Sequence, residues 1–154
     1  MIKHELEIVV KDEKLKPIKW TVNATCMDLF SAEDITIEPG EIKLVWLWVK
    51  TNFANKIYPR SSLPLKKWLI LANSVWIIDS DYRGELKGQL LNITKEPVKI
   101  SKYEKLLQLE IDCEYKIDWY SLNINVNKDR YDNWESIDKT DRGEWWFWST
   151  AWYN

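Results

Sequence analysis

The chain has 154 residues and a net charge of −2, with 22 basic against 24 acidic side chains. This length supports a single domain with a substantial core, and the balanced charge argues against broad binding to a nucleic-acid backbone. The longest apolar run, LVWLWV at 44–49, is too short to span a membrane. Two cysteines are too few for a disulfide framework and favour a reducing compartment. We expect a cytoplasmic protein that binds neither nucleic acid nor a membrane.

The composition has one abnormal feature. The chain contains 4 Gly and 11 Trp, so glycine falls to about 3% against a usual share near 7%. A shortage of the smallest residue beside an excess of the largest suggests that both have one cause.

Short apolar runs separated by turn residues predict strands along most of the chain. Pro39 and Gly40 fit the two central positions of a type II turn, with 42–49 as the return strand. The turn-like cluster SDYRG at 80–84 stands between two apolar runs and suggests a hairpin. The predicted strands are 5–10, 35–37, 42–49, 55–59, 69–78, 85–93 and 105–111.

Helical periodicity is scarce. The sequence predicts one short helix at Ser62–Trp68, with Ser61 or Ser62 as its N-terminal cap. Residues 112–141 are polar and are predicted to be loop, and 141–154 are predicted to form a C-terminal arm. Many short strands at roughly ten-residue spacing predict an all-β sandwich or barrel.

Two short stretches combine charged or hydroxyl side chains with apolar surroundings. Asp28 lies inside the apolar segment ATCMDL, where a carboxylate either satisfies nearby backbone N–H groups or serves a site. In PRSSL at 59–63, Arg60 stands beside two hydroxyls at a predicted helix start, an arrangement that can hold phosphate oxygens. Each pattern is weak when taken alone.

The stretch NSVWIIDSDYRGE at 73–85 is more specific. Asp79 follows an apolar run directly, and an ionised group is costly there unless it has a task. Asp79, Asp81, Tyr82 and Arg83 make a dense polar group at a strand end. The alternative is an ordinary hairpin with acidic residues on its turn, and for Asp81 and Arg83 we favour a structural role in bracing that hairpin over contact with a neighbouring chain.

Two further stretches lie nearer the C-terminus. KLLQL at 105–109 is an apolar strand with a single amide, Gln108. In DRGEWWFWST at 141–150, an Arg-Gly pair and a Ser-Thr pair look like parts of a phosphate-binding loop. Such a loop needs small residues so that its backbone can close on the phosphate oxygens, yet this one is filled with Trp.

The order and spacing of these five stretches resemble the homotrimeric dUTPase family from about residue 20 to the end of the chain. PRSSL and the stretch at 73–85 match that family closely. The fourth motif is eroded, because the family usually has Gly-Asp-Arg-hydrophobic-Ala-Gln where this chain has YEKLLQ at 103–108. A polar insertion at about 112–134 also separates the fourth motif from the fifth.

The resemblance implies an all-β, jelly-roll-like distorted β-barrel with one short helix and a C-terminal arm. Residues 1–140 would form the β domain, including the insertion, and 141–154 the phosphate-loop arm. The implied activity is hydrolysis of dUTP to dUMP and pyrophosphate, with Mg²⁺ held chiefly by phosphate oxygens and water. The implied assembly is a homotrimer whose active sites are shared between chains.

Individual residues match the family's functional positions. Asp79 matches the general base that activates the water attacking the α-phosphorus. Tyr82 matches the ring that packs on the deoxyribose, and Phe147 matches the arm's aromatic that stacks on uracil. Asp28 matches a carboxylate that reaches the metal through water. The other matched substrate-binding residues are Arg60, Ser61, Ser62, Asn73, Gln108, Arg142, Ser149 and Thr150.

Tryptophan recurs where the family has glycine. The family's fifth motif reads approximately Arg-Gly-x-Gly-Gly-Phe-Gly-Ser-Thr-Gly, and this chain has RGEWWFWSTAW at 142–152. Trp68 and Trp76 also stand at family glycine positions. We hypothesise that one codon, UGA, means Gly in the source organism and is written here as Trp. Further candidate positions are Trp20, Trp46, Trp48, Trp119 and Trp134.

Alternative functions are compatible with the same residues. The arm could be a natural one that has lost phosphate binding and packs its indoles elsewhere, which would leave a catalytically inactive, dUTPase-like binding or regulatory protein. A relative of the same fold could deaminate dCTP. A single-strand-binding module could use Trp as stacking platforms, although the net charge of −2 opposes it. If the indoles are real, we expect the chain as written to bind dUTP weakly and to turn over slowly or not at all.

Overall fold

The computed structural model describes residues 4–112 and 120–140. Within these ranges the chain forms many short strands, three short α-helices and a 3₁₀ turn at Glu13–Leu15. The strands are β1 (His4–Val10), β2 (Met27–Phe30), β3 (Ile35–Ile37), β4 (Ile42–Trp46), β5 (Val49–Thr51), β6 (Asn55–Pro59), β7 (Leu69–Leu71), β8 (Trp76–Ile78), β9 (Lys87–Asn92), β10 (Val98–Ile100), β11 (Lys105–Ile111) and β12 (Tyr120–Val126). The helices are α1 (Ser62–Lys67), α2 (Lys128–Asp132) and α3 (Trp134–Ile137).

The strands pair into small sheets around one main core. Their orders are β12-β1-β5, β10-β3, β2-β11-β6-β8 and β4-β9-β7. Alternate residues of β9 are buried, and β11 buries most of its apolar positions, as expected for strands with one face on the core. The apolar faces of all four sheets meet in a single cluster of buried side chains. The all-β fold class is therefore confirmed.

Several predicted elements have the predicted bounds. The strands at 35–37, 55–59 and 105–111 are β3, β6 and β11. The turn before β4 also forms, since the Glu41 N–H donates to the Glu38 carbonyl at 3.0 Å and Gly40 has a φ of 72°. Glycine adopts that left-handed conformation without the steric cost of a Cβ.

The strand pairing differs from the simplest expectation. The run at 42–49 is two strands, because the chain turns at Trp48, whose φ is 51°. The run at 69–78 is also two strands in different sheets: β7 pairs with β9, whereas β8 pairs with β6. The predicted hairpin between 69–78 and 85–93 is therefore only half right. Periodicity identifies a strand but does not identify its partner.

The prediction of loop over 112–141 is wrong for the part that the structure describes. β12 pairs in parallel with β1 along its whole length, and Leu122, Ile124 and Val126 pack against the core. The Asn127 side chain caps α2 by accepting the Arg130 N–H at 2.9 Å. The prediction of one short helix is wrong for the same reason, since α2 and α3 follow this strand.

No helix within 4–112 and 120–140 is long and apolar enough to cross a membrane.

Candidate active site

Three of the predicted motifs contribute to one ionic cluster. Asp28 on β2 is 8% exposed, and its Oδ1 accepts a hydrogen bond from Arg60 Nε at 2.9 Å. Lys105 Nζ lies 3.4 Å from the other carboxylate oxygen of Asp28. Gln108 on β11 is paired in register with Asp28 and donates its Nε2 to the Pro59 carbonyl at 3.0 Å. Pairing of β2, β11 and β6 thus brings together Asp28, Arg60 and Gln108.

The hydroxyl pair beside this cluster begins α1. The Arg60 carbonyl accepts the Leu63 N–H at 2.9 Å, which closes the first turn. Ser61 occupies the cap position, as predicted, but its side chain makes no capping bond. Ser61 is exposed and Ser62 is half-buried. Both serines therefore follow Arg60 directly at a helix start, and hydroxyl and guanidinium groups are suited to binding an anionic oxygen.

Asp79 begins the turn that follows β8. The Tyr82 N–H donates to the Asp79 carbonyl at 3.1 Å, so Asp79 to Tyr82 form a tight turn with a half-buried carboxylate at its start. Arg83 stabilises the same turn. It is 6% exposed, and its Nη1 donates to the carbonyls of Ser80 and Tyr82 at 2.7 and 3.2 Å. The bracing role expected for Arg83 is confirmed.

Tyr82 is packed inside the hairpin. The ring is 2% exposed, and its hydroxyl donates to the Glu85 carbonyl at 3.1 Å. A Cβ on Gly84 would lie 2.2 Å from the Tyr82 hydroxyl oxygen, so only glycine allows the ring to occupy this place. The Tyr82 ring is thus closely packed at the position where the sequence predicts a sugar contact.

Asn73 and Asp79 lie on either side of β8. Asn73 Oδ1 is buried and has no hydrogen-bond partner among the described residues, and an unsatisfied buried acceptor is costly unless a ligand or water fills the place. Between them, Trp76 is 1% exposed and packs in the main core. The segment before Asp79 therefore offers a buried acceptor that no described residue satisfies.

The ionic cluster and the Asp79 turn occupy diagonal corners of one sheet. Asp28 lies on β2 and Asp79 directly follows β8, the two outer strands of β2-β11-β6-β8, which places them about 14 Å apart across the strands. Along the strands, Asp28 is level with Tyr58 through Gln108, whereas Asp79 lies one residue beyond Ile78, which pairs with Asn55. The two carboxylates are therefore offset by about four residues, or about 13 Å, along the strand direction. One chain thus holds two candidate half-sites, the Asp28 cluster and the Asp79 turn, roughly 20 Å apart.

The model for the family described as dUTPase matches residues 17–147, most of the chain. The chain belongs to the dUTPase family. The deoxyuridine 5'-triphosphate nucleotidohydrolase of Thermoanaerobacter sp. (strain X514) is 38% identical over 102 residues, which cover 62% of this chain and 69% of that protein. The enzyme of the same name from Neisseria meningitidis serogroup A is 31% identical over 157 residues, covering 96% of this chain and 97% of the relative.

Solved structures of dUTPases share the fold. The dUTPase from Streptococcus mutans superposes with a TM-score of 0.66 at 33% identity, covering 71% of this chain and 94% of that one. The dUTPase of Staphylococcus bacteriophage 80alpha gives a TM-score of 0.63 at 19% identity, over 70% of this chain and 88% of that chain. The second likeness bears on the fold alone. The jelly-roll-like dUTPase architecture expected from the motifs is confirmed.

Two residues at the candidate half-sites were not singled out from the sequence. Lys105 stands where the eroded fourth motif has a basic residue, and its proximity to Asp28 depends on the β2–β11 register. Asp138 contacts Arg83, with 2.8 Å between Oδ2 and Nε, although it lies far along the chain in a segment predicted to be loop. The predicted arm residues Arg142, Phe147, Ser149 and Thr150 lie outside the described residues.

Glu85 is the titratable group whose pKa is most altered near the hairpin. Burial raises the pKa of Glu85 to about 6, although hydrogen bonds from Tyr131 and from the backbone lower it in part. Its Oε1 accepts the Trp48 N–H at 2.7 Å. Glu85 therefore links the β4–β5 turn to the hairpin and changes charge near neutral pH.

The described residues contain no group of three or more His, Cys, Asp or Glu side chains that could hold a metal ion. Both carboxylate oxygens of Asp28 face cations, Arg60 and Lys105. A direct Mg²⁺ site built from these side chains does not fit, because this cation prefers a shell of several oxygens.

Proposed function

We propose that the chain is a dUTP diphosphatase, which hydrolyses dUTP to dUMP and pyrophosphate. The observation that carries the proposal is that the Asp79 hairpin and the Asp28–Arg60–Gln108 cluster occur together on one sheet of a dUTPase-family chain. Asp79 would take a proton from a water molecule in line with the α-phosphorus, and pyrophosphate would leave. A well-placed general base contributes roughly 10²–10⁴-fold to such a rate.

Substrate recognition would use both half-sites. Asn73 Oδ1, a buried acceptor without a described partner, would accept a hydrogen bond from the base or from an ordered water. Arg60, Ser61, Ser62 and Gln108 would hold phosphate oxygens, together with Arg142, Ser149 and Thr150 of the arm, and Phe147 would stack on uracil. The contact of Tyr82 with the deoxyribose stays a prediction, because the ring is packed against Gly84 in the structure.

The diagonal arrangement supports a shared active site. A base at one corner of the sheet and a phosphate cluster roughly 20 Å away would meet on one substrate if a second copy places its cluster beside the first copy's hairpin. The chain also has an apolar surface suited to self-association: Ile42 and Leu44 on β4 are 58% and 39% exposed, and Ile70 on β7 is 37% exposed. We propose a homotrimer, located in the cytoplasm, in which each site uses more than one chain.

Magnesium would enter with the nucleotide. The dUTPase of Staphylococcus aureus phage phi11 is described as coordinating a structural Mg(II) ion. In this chain the phosphate oxygens and water would supply most ligands and the metal would neutralise triphosphate charge. Asp28 orients Arg60 directly, and its water-mediated contact with the metal stays a prediction.

We also propose that several tryptophans are glycine in the protein made by the source organism. Four non-glycine residues in the described ranges have positive φ, and two of them are Trp48 and Trp68, at 51° and 54°. Trp68 ends α1 in the left-handed conformation, with its N–H donating to the Pro64 carbonyl at 3.1 Å. This is the helix position where glycine is most favoured. The indole there is 61% exposed.

Trp134 differs from Trp48 and Trp68 because its backbone is helical rather than left-handed. It differs from Trp76, whose indole is also buried, because it stands in none of the five motifs. It is fully buried in α3, packs with Val9 and Tyr131, and lies under the Arg130 guanidinium at 5.0 Å. We therefore propose Trp at 134 and Gly at 48, 68, 76, 145, 146, 148 and 152; the chain with these seven glycines is called the glycine form below. Sequencing the coding DNA tests this directly, since UGA is expected at the seven positions and UGG at 134. UGG at the seven positions would disprove the recoding.

The activity is tested by measuring pyrophosphate release from dUTP with the chain as written and with the glycine form. We expect the glycine form to hydrolyse dUTP in preference to dCTP, dTTP and UTP, and the chain as written to be slower. Ammonia release from dCTP would instead indicate a deaminase. Tight dUTP binding without turnover by the glycine form would indicate a regulatory binding protein.

A further inference from the structure

The chain that leads to the arm is attached to the hairpin of Asp79. Arg83 Nε lies 2.8 Å from Asp138 Oδ2, and the Arg83 side chain is only 8% exposed in this ion pair. Two residues further along, the Thr140 hydroxyl donates to the Asp81 carbonyl. Both contacts join residues that are more than fifty positions apart in the sequence.

The segment before these contacts is well anchored. β12 adds to the sheet beside β1, and the buried Trp134 of α3 packs on Val9. Lys50 donates to the Tyr131 carbonyl at 3.1 Å from a buried position. The Asp138 N–H donates to the Trp134 carbonyl at 2.9 Å. Residues 120–137 therefore bring Asp138 to a defined place on the hairpin.

The Arg83 guanidinium binds both the hairpin turn and the segment before the arm. Nη1 binds the Ser80 and Tyr82 carbonyls of the turn that carries Asp79, while Nε binds Asp138. Only Asp141 separates Thr140 from Arg142 in the sequence. Fixing residues 138–140 thus fixes the point from which the arm begins.

We propose that Arg83 and Asp138 form a clamp that positions the arm for the reaction. The proposal rests on the proposed dUTP hydrolysis. A tethered group whose starting point is fixed samples less space, so its effective concentration at the substrate is higher. The clamp would favour binding of dUTP more than binding of dUMP. Arg142, Ser149 and Thr150 of the arm are proposed to hold phosphate oxygens that dUMP lacks, whereas stacking of Phe147 on uracil would be common to both nucleotides.

The test uses Asp138→Asn in the full-length glycine form, because this change leaves the Arg83 bonds to Ser80 and Tyr82 in place. We expect the KM for dUTP to rise on the order of three- to tenfold, with kcat changed less than twofold and the inhibition constant of dUMP raised by a smaller factor than the KM. Asp138→Glu should restore most of the loss. Glu135→Gln, which removes the same charge three residues away, is the matched control and should behave like the parent.

A second variant separates positioning from stability. If the clamp acts through the arm, adding Asp138→Asn to Arg142→Ala should raise KM little further. An unchanged KM in Asp138→Asn, or an equal loss of dUTP and dUMP binding, would overturn the clamp while leaving dUTP hydrolysis by the parent intact.

A third measurement does not depend on activity. Trypsin should cut after Lys139 and Arg142 faster in Asp138→Asn than in the parent or in Glu135→Gln, which mass spectrometry of the fragments would reveal. Equal cleavage rates would also overturn the clamp. If the parent hydrolyses no dUTP, the proposed function fails, and the trypsin rates still decide whether Asp138 fixes the start of the arm.

Discussion

The conformation of Trp68 makes a quantitative prediction about which residue belongs at that position. Its φ of 54° lies in the left-handed region, where an L-residue with a Cβ is destabilised by roughly 1–2 kcal/mol. Comparing Trp68→Gly with Trp68→Ala removes the indole in both variants, so the contribution of its partly buried ring cancels. The remaining difference is the Cβ at positive φ.

Glycine loses part of this advantage because it makes the unfolded chain more flexible, which lowers the free energy of unfolding by roughly 0.5–1 kcal/mol. We therefore expect Trp68→Gly to be more stable than Trp68→Ala by about 1 kcal/mol, or about 2–4 °C in Tm for a chain of this size. Trp48, with a φ of 51°, should show the same order. Urea unfolding at one fixed protein concentration measures both pairs.

The control is Leu65 in α1, the helix whose C-terminus Trp68 caps. Leu65 is 80% exposed within α1, where alanine should be more stable than glycine by up to about 1 kcal/mol. The glycine variant should thus be the more stable of the pair at position 68, and the alanine variant the more stable at position 65. Alanine variants as stable as the glycine variants at both 48 and 68 would refute the reasoning from positive φ and remove the structural support for recoded glycines.

Three further predictions concern other parts of the molecule. Trp134→Gly should destabilise the chain by about 3–5 kcal/mol, because it empties a fully buried site; a loss below 1 kcal/mol in urea unfolding would argue that this position is also a glycine. Because burial raises the pKa of Glu85 to about 6 from its usual 4.5, the folded state keeps a proton that the unfolded state releases. The contribution of Glu85 to the free energy of unfolding is therefore greatest below pH 4.5 and falls by up to about 2 kcal/mol as pH rises through 6. A Glu85→Gln variant whose stability depends on pH as the parent's does would contradict this. Lys105→Met should raise the KM for dUTP about tenfold, because it removes one charged contact from the Asp28 cluster. Lys66→Met, on the exposed face of α1, should leave the KM unchanged. Equal effects of the two variants would show that Lys105 acts only through net charge.

Local sequence signals predicted much of the fold because they depend on neighbouring residues. The Pro39-Gly40 turn, β6 and α1 follow from turn chemistry, alternation and a helix start that the sequence displays. The signal for β12 was also present, as Leu122, Ile124 and Val126 alternate with polar residues. Its polar surroundings outweighed that alternation in our prediction, although a strand that pairs at a sheet edge needs only one apolar face.

The site was predicted in part for the same physical reason. Asp79 and Arg60 could be recognised from motifs that are contiguous in sequence. The contacts of Asp28 with Lys105 and of Arg83 with Asp138 could not, because they depend on strand register and on packing between distant segments. The separation of the two half-sites also follows only from the sheet order.

The central claim is that the Asp79 carboxylate activates the water that cleaves dUTP. The most direct measurement compares the glycine form with its Asp79→Asn variant, in pyrophosphate release and in calorimetric binding of dUTP. We expect a loss of roughly 10²–10⁴-fold in kcat, with the dissociation constant of dUTP changed less than a few-fold. An Asp79→Asn enzyme that retains the parent's turnover would contradict the claim.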